Sequence, residues 1–172
     1  MNQANNSKSL FDYLLCNNKL YENENIFDWN NIKISNRLND YLNDEKREND
    51  ILFDSVRFLS YSQICIENTE MAPGAILSAF GFLVIAITTG GNAIAINLNP
   101  NTNIDMYAIV YADHSVLCDK TYFGRMNGVF SDHIISENNI KCLIYETSET
   151  FDSFLDKIQS NSINLEEIDF IL

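Results

Sequence analysis

Positive charge is scarce in this sequence. Lys and Arg number 11 against 24 Asp and Glu, a formal net charge of −13 at pH 7. Nucleic acid and anionic membrane both need neutralising cations, so this balance argues against either as a direct partner. It suits a basic protein partner, since opposite charge speeds encounter. Acidity that only keeps the chain soluble is the plainer account. Long apolar runs are missing too. No stretch reaches the ~18 residues of a membrane helix, and the first nine residues are polar where a signal peptide would lead into an apolar core.

The residues of common catalytic motifs are thinly spread. The four cysteines, Cys16, Cys65, Cys118 and Cys142, form no CxxC pair and no zinc spacing. They read as reduced, mostly buried thiols of a cytoplasmic protein. Gly90-Gly91 is not followed by Lys-Ser/Thr, so it is no P-loop, and neither GxGxxG nor GxSxG occurs. The two histidines each follow an aspartate, as Asp113-His114 and Asp132-His133. Such pairs can supply metal ligands or a general base. Nothing in the spacing brings the two pairs together, so a strand-end histidine and a loop histidine are the simpler reading. No cofactor is indicated.

What is present is a globular composition. Hydrophobic residues make up 46% and aromatics 12% of 172 residues, enough for one domain with a real core. The chain is organised around residues 81–98, GFLVIAITTGGNAIAINL. Residues 82–87 are apolar throughout and rich in β-branched side chains. Thr89-Gly90-Gly91-Asn92 interrupts them, and residues 93–98 then alternate. Two such runs across a Gly-Gly turn read as a β-hairpin. The first strand would be covered on both faces and the second on one. A short buried helix over the first run is the competitor.

Around this hairpin, Leu10, Phe11, Leu14 and Leu15 suggest a helix capped by Ser9. Trp29, beside Ile26 and Phe27, is a core anchor or a binding hot spot. Ile34, Leu38, Tyr41 and Leu42 predict a helix over residues 35–45, and residues 40–50 (DYLNDEKREND) read as a solvated helix end. Residues 51–59 should be buried, with a strand near 56–59. A helical turn capped near Ser62 follows, and 67–74 (ENTEMAPG) reads as a connection. Residues 97–103 read as a plain turn, and 104–112 as a third antiparallel strand. Residues 113–127 read as loop with short pieces of structure. A helix start is expected at 136–139, and Cys142 to Tyr145 as a short strand. Phe151, Phe154, Leu155 and Ile158 define a helix face, capped by Thr147 or Ser148. An apolar tail, Ile168, Phe170, Ile171 and Leu172, should dock. This order predicts an α+β fold: a mainly antiparallel, mixed sheet, its central meander over 81–112, packed by N-terminal and C-terminal helices. Acids near the expected strand ends, Glu67, Glu70, Asp105, Asp113 and Asp119, would form a negative rim if the loops gather at one edge; scattered solvated acids are the alternative.

The succession of the 81–98 stretch, then VYADHS, then ETFDSFLDKI resembles the SUKH superfamily, over residues 56–159. Its most telling pieces are Gly90, Gly91 and Asn92 in the hairpin turn and the Ser148, Phe151, Phe154, Leu155 helix. The resemblance implies one SUKH-like domain over 1–172, with 1–50 a helical region that does not match residue by residue. It implies helices on a mainly antiparallel sheet, no enzymatic activity, and the commonest role of the superfamily: a cytosolic immunity protein that binds and blocks a toxin such as a nuclease or deaminase. Interface residues do not carry over, because partners differ. A general interaction domain of the same fold is the alternative. A small metal-dependent hydrolase using Asp113, His114, Asp132 and His133 is the third.

Overall fold

The computed structural model describes residues 32, 34–42, 48–53, 55–117, 125–126, 129–130, 144–160 and 162. The readings made for Leu10 to Leu15, Trp29, Cys16, Cys118, Cys142, Asp119, Asp132, His133, residues 136–139 and the tail from Ile168 lie outside these residues.

The expected hairpin forms the centre of the sheet. Strands β3 (Phe82–Thr88) and β4 (Ala93–Asn97) pair antiparallel. The β-branched run extends, and Thr-Thr-Gly-Gly turns it before a helix could gain length. β4 is buried along its whole length rather than on one face. It lies inside a six-stranded sheet, and its outward positions are filled by Ala93 and Ala95, both 0% exposed. Two strands precede the hairpin, β1 (Ile51–Phe53) and β2 (Val56–Phe58). β5 (Ala108–Ala112) follows it, then a helical turn, α4 (His114–Leu117). A separate two-stranded ladder of β6 (Arg125–Met126) and β7 (Val129–Phe130) intervenes before β8 (Ile144–Thr150). The main sheet runs β1-β2-β3-β4-β5-β8, with every pairing antiparallel. The fold is therefore α+β on a curled antiparallel sheet.

Register places one row across all six strands: Ile51, Phe58, Ala86, Ile94, Tyr111 and Tyr145. Its middle is buried, while Ile51 and Tyr145 at the ends are 53% and 47% exposed. Residues 51–59 are thus buried only in their second half. Val56 and Phe58 are covered; β1 is the sheet edge and has no neighbour on its outer side among the described residues.

Five helices accompany the sheet among the described residues. α1 (Asn36–Leu42) opens on Ser35, whose Oγ accepts from the Leu38 N–H at 3.1 Å. α2 (Tyr61–Glu70) runs through ground expected to be a capped turn and the start of a connection, and α3 (Gly74–Ala79) begins at the last residue of that expected connection. Helix α2 begins after Ser60, not Ser62, because Asp50 Oδ1 holds the Ser60 N–H at 2.7 Å. Pro73 sits at the start of α3, where its missing N–H costs no helical bond. Gly74 is forced by proximity: a Cβ there would lie 2.5 Å from the Glu67 carbonyl oxygen.

α5 (Phe151–Gln159) packs Phe151 and Phe154 fully into the core, with Leu155 and Ile158 half-buried against it. Its face matches the predicted one; its cap does not. Thr150 caps it, accepting from the Ser153 N–H at 3.3 Å. Residues 147–149 instead continue β8, because Thr147 Oγ1 donates to the Ile109 carbonyl at 2.7 Å across an irregularity in the ladder. Phe154 meets Phe58, and Phe151 meets Tyr41 edge-on at 5.2 Å, so α5 bridges β2 and α1. Arg37 adds bonds to Asp156 (2.6 Å) and the Asp152 carbonyl (3.1 Å) and holds the Asp156 carboxyl below its usual range. Exposed pairs contribute little, so burial of Leu38 and Leu42 fixes α1.

The 97–103 segment is not a plain turn. Asn97 Nδ2 donates to the Ile104 and Asp105 carbonyls (2.9 and 3.2 Å), and Asn97 Oδ1 accepts from the Asn99 N–H at 3.0 Å. Asn99 Nδ2 reaches back to the Phe80 carbonyl at 3.0 Å. These bonds draw residues 104–107 off the ladder, so β5 starts at Ala108 rather than at Ile104.

The sheet meets α2 through Asn68, which is 0% exposed. β2 last reaches β3 where Leu59 N–H donates to the Ile85 carbonyl at 2.9 Å. A bulge at Ile85 turns the next backbone groups of β3, those of Val84, outward to the same side. Asn68 takes both: Nδ2 donates to the Val84 carbonyl and Oδ1 accepts from the Val84 N–H, each at 2.9 Å. Replacing Asn68 by Ala leaves two buried strand groups without partners, and each such group costs about 1–3 kcal/mol. Asn68→Ala should therefore lower unfolding free energy by about 2–4 kcal/mol in urea titrations at unchanged m-value; a loss under about 1 kcal/mol would show the contact to be dispensable.

Candidate interaction surface

The hairpin turn and the Asp113-His114 pair converge at one end of the sheet. Thr88 and Gly91 close the turn with a Gly91 N–H to Thr88 carbonyl bond of 2.9 Å, and Gly91 has φ of 89°. Asn92 Oδ1 then accepts from the His114 N–H at 3.0 Å, tying the turn to α4. Asp113 caps α4: its Oδ1 accepts from both N–H and Oγ of Ser115, each at 2.7 Å. The Asp113 carboxylate thus has an architectural task, while His114 is exposed. The His114 ring would lie 3.6 Å from a Cβ at Gly91, an ordinary contact, so strain at Gly91 comes from the backbone. Gly91→Ala should cost about 1–2 kcal/mol, since a left-handed conformation disfavours any Cβ. Gly90→Ala, at an exposed neighbour without that φ, should stay within about 0.5 kcal/mol when both variants are compared with wild type by thermal melts.

Of the acids expected to form a rim, Asp119 lies outside the described residues, and Asp105 and Asp113 do not share an edge. Asp105 precedes β5 and Asp113 follows it, so the strand separates them by about 17 Å. Glu70 is exposed at the end of α2, and Glu67 is half-buried one turn earlier. Burial raises the Glu67 pKa above the ordinary 4.5, against weaker pulls from the Gly74 N–H and Arg57. A raised folded pKa means the native state holds the proton more tightly than the unfolded chain. Stability from this group is then full below the unfolded pKa and is lost as pH rises through the folded one. Glu67→Gln keeps an acceptor for the Gly74 N–H, which bonds Oε1 at 3.3 Å, and removes the titration. The variant should gain stability over wild type on going from about pH 3 to pH 7; a pH-independent difference would show that Glu67 ionises freely in the fold.

The remaining chemical candidates are built into the core. Cys65 is buried, and burial pushes its thiol up to about 11 against a hydrogen bond from Tyr61, so it is not a thiolate at neutral pH. Phe151, Phe154 and Leu155 serve the core. Tyr145 stacks on Tyr111 at 6.4 Å, with Glu149 on the same strand paired to Lys157 of α5. Among the described residues no three His, Cys, Asp or Glu side chains are grouped to hold a metal, and no helix is long and apolar enough to cross a membrane.

The surface that the sequence reading missed is the β1 edge. Leu52 is 68% exposed beside Ile51, and Asp50 pairs with Arg57 at 3.0 Å behind it. The signal lay in the length of the run: three apolar residues directly after a charge-dense segment suit a short edge strand better than a buried one. Comparison with known protein families, with curated proteins and with solved structures finds no match to this chain.

Proposed function

We propose that this chain is a non-enzymatic binding protein of the SUKH type, a cytoplasmic immunity protein that binds and neutralises a basic toxin domain such as a nuclease or deaminase. The observation that carries this reading is the excess of 24 acidic over 11 basic residues. Nucleic-acid-active proteins carry basic clefts, and an acidic surface is their electrostatic complement. An α+β fold on an antiparallel sheet agrees with what the resemblance implies. The engagement of Asp113 as a cap and of Cys65 as a buried thiol supports a binding role over a catalytic one. The exposed apolar edge favours an interaction domain in general, so a partner other than a toxin is the second reading.

The test is co-purification with the proteins encoded beside this gene, at low and then moderate salt. One stoichiometric partner whose toxicity disappears on binding is the expected result, with affinity falling as salt rises. His114→Ala with His133→Ala should leave neutralisation intact. Capture of no neighbour at any salt, or loss of activity in the double histidine variant, would overturn the reading.

A further inference from the structure

Among the described residues no strand lies beyond the outer edge of β1. The parity of the ladder decides which of its groups face out. Ser55 and Leu59 both bond toward β3, the first accepting from Thr89 N–H at 2.8 Å and the second donating to Ile85 at 2.9 Å. Arg57, midway between them, faces β3 as well. Its partner across the β1–β2 pair is Leu52. Antiparallel partners alternate between exchanging both bonds and exchanging none. Leu52 therefore turns its N–H and C=O away from the sheet, at the same residue whose side chain is 68% exposed. Edge strands are commonly blunted by Lys, Pro or a bulge. β1 has none of these and is limited only by its three-residue length: it is Ile-Leu-Phe in unbroken register.

Charge selects the occupant. A second copy would bring two chains of −13 together, which self-repulsion opposes. Exposed Glu48 lies at the entry to the strand, and Arg57, the cation directly across from Leu52, is already held by Asp50. Resting on the reading given above, we propose that β1 is where the basic partner docks: an extended segment of it adds as a seventh strand, with main-chain bonds to Leu52, apolar side chains over Ile51 and Leu52, and Lys or Arg toward Glu48. Main-chain bonds supply the affinity in such additions, and alternate side chains supply the choice of partner.

Two variants and one exchange measurement test it, using the full chain and the neighbour-encoded partner captured by it. Leu52→Pro removes the outward donor, and Leu52→Lys places a like charge against the partner's cations while suiting an exposed edge. Leu52→Lys should melt within a few degrees of wild type, which keeps the test independent of folding. Both variants should bind the partner at least about tenfold more weakly, and the Leu52 amide should exchange with solvent far more slowly in the wild-type complex than in the free chain. Undiminished binding by Leu52→Lys together with an unprotected Leu52 amide overturns the docking edge while leaving the binding function standing. Failure of the wild type to retain any partner overturns the functional reading and the edge with it.

Discussion

The sheet and its helices depend on one side-chain amide. Asn68 meets the N–H and C=O of Val84 as a strand residue would, at 2.9 Å each, from the last turn of α2. The need arises inside the sheet. β2 is short, so β3 outruns it, and the bulge at Ile85 turns Val84 toward the gap. A buried, unpaired peptide group costs more than most single apolar contacts contribute. Asn68 closes the gap and fixes where α2 crosses β3. Its Nδ2 also donates to the Ile64 carbonyl, and its own carbonyl accepts from Ser78 Oγ of α3 at 2.6 Å. Position and rotation of both helices are thereby set against one strand.

The open end of the same hairpin is solved in the same way. Asn97 and Asn99 are 0% and 6% exposed, and their amides satisfy carbonyls at Phe80, Ile104 and Asp105. Asparagine suits this work because it carries both a donor and an acceptor in the geometry of a peptide. The result is a loop anchored at both ends by these amides, while Pro100, Asn101 and Asn103 stay exposed. It delivers the chain to β5 and lets the Phe151 N–H reach the Tyr107 carbonyl at 2.7 Å, where α5 begins.

This division explains what could be read from the sequence. The hairpin, β5 and the face of α5 follow local patterns: β-branched runs, a Gly-Gly turn, and Phe151, Phe154, Leu155 and Ile158 at helical spacing. α2 and α3 do not. Their register with the sheet rests on Asn68 meeting Val84 sixteen residues on, and an asparagine among many carries no local mark of that task. The cap of α5 was displaced for a similar reason, since Thr147 is taken by Ile109 thirty-eight residues earlier. The candidate surface was less legible still. An acid's sequence position near a strand end does not tell which end of the sheet it reaches, and Asp105 and Asp113 reach opposite ones. Ile51 and Leu52 read as core because an apolar triplet looks alike in a central strand and at an edge; only the order of strands separates the two.

Sheet order also bears on what the molecule can do. A six-stranded antiparallel sheet that stays open has two edges, and each must be blunted, covered or used. At the β8 edge, Tyr145 lies against Tyr111, and the Glu149–Lys157 pair joins the strand to α5, so the strand is held by the helix that follows it. At the β1 edge the only charged contact described, Asp50 with Arg57, lies across the hairpin and braces it from behind. The brace steadies β1 without covering Leu52. Among the described residues the β1 edge is apolar and has no strand beyond it, and the −13 charge of the whole chain disfavours a second acidic surface there.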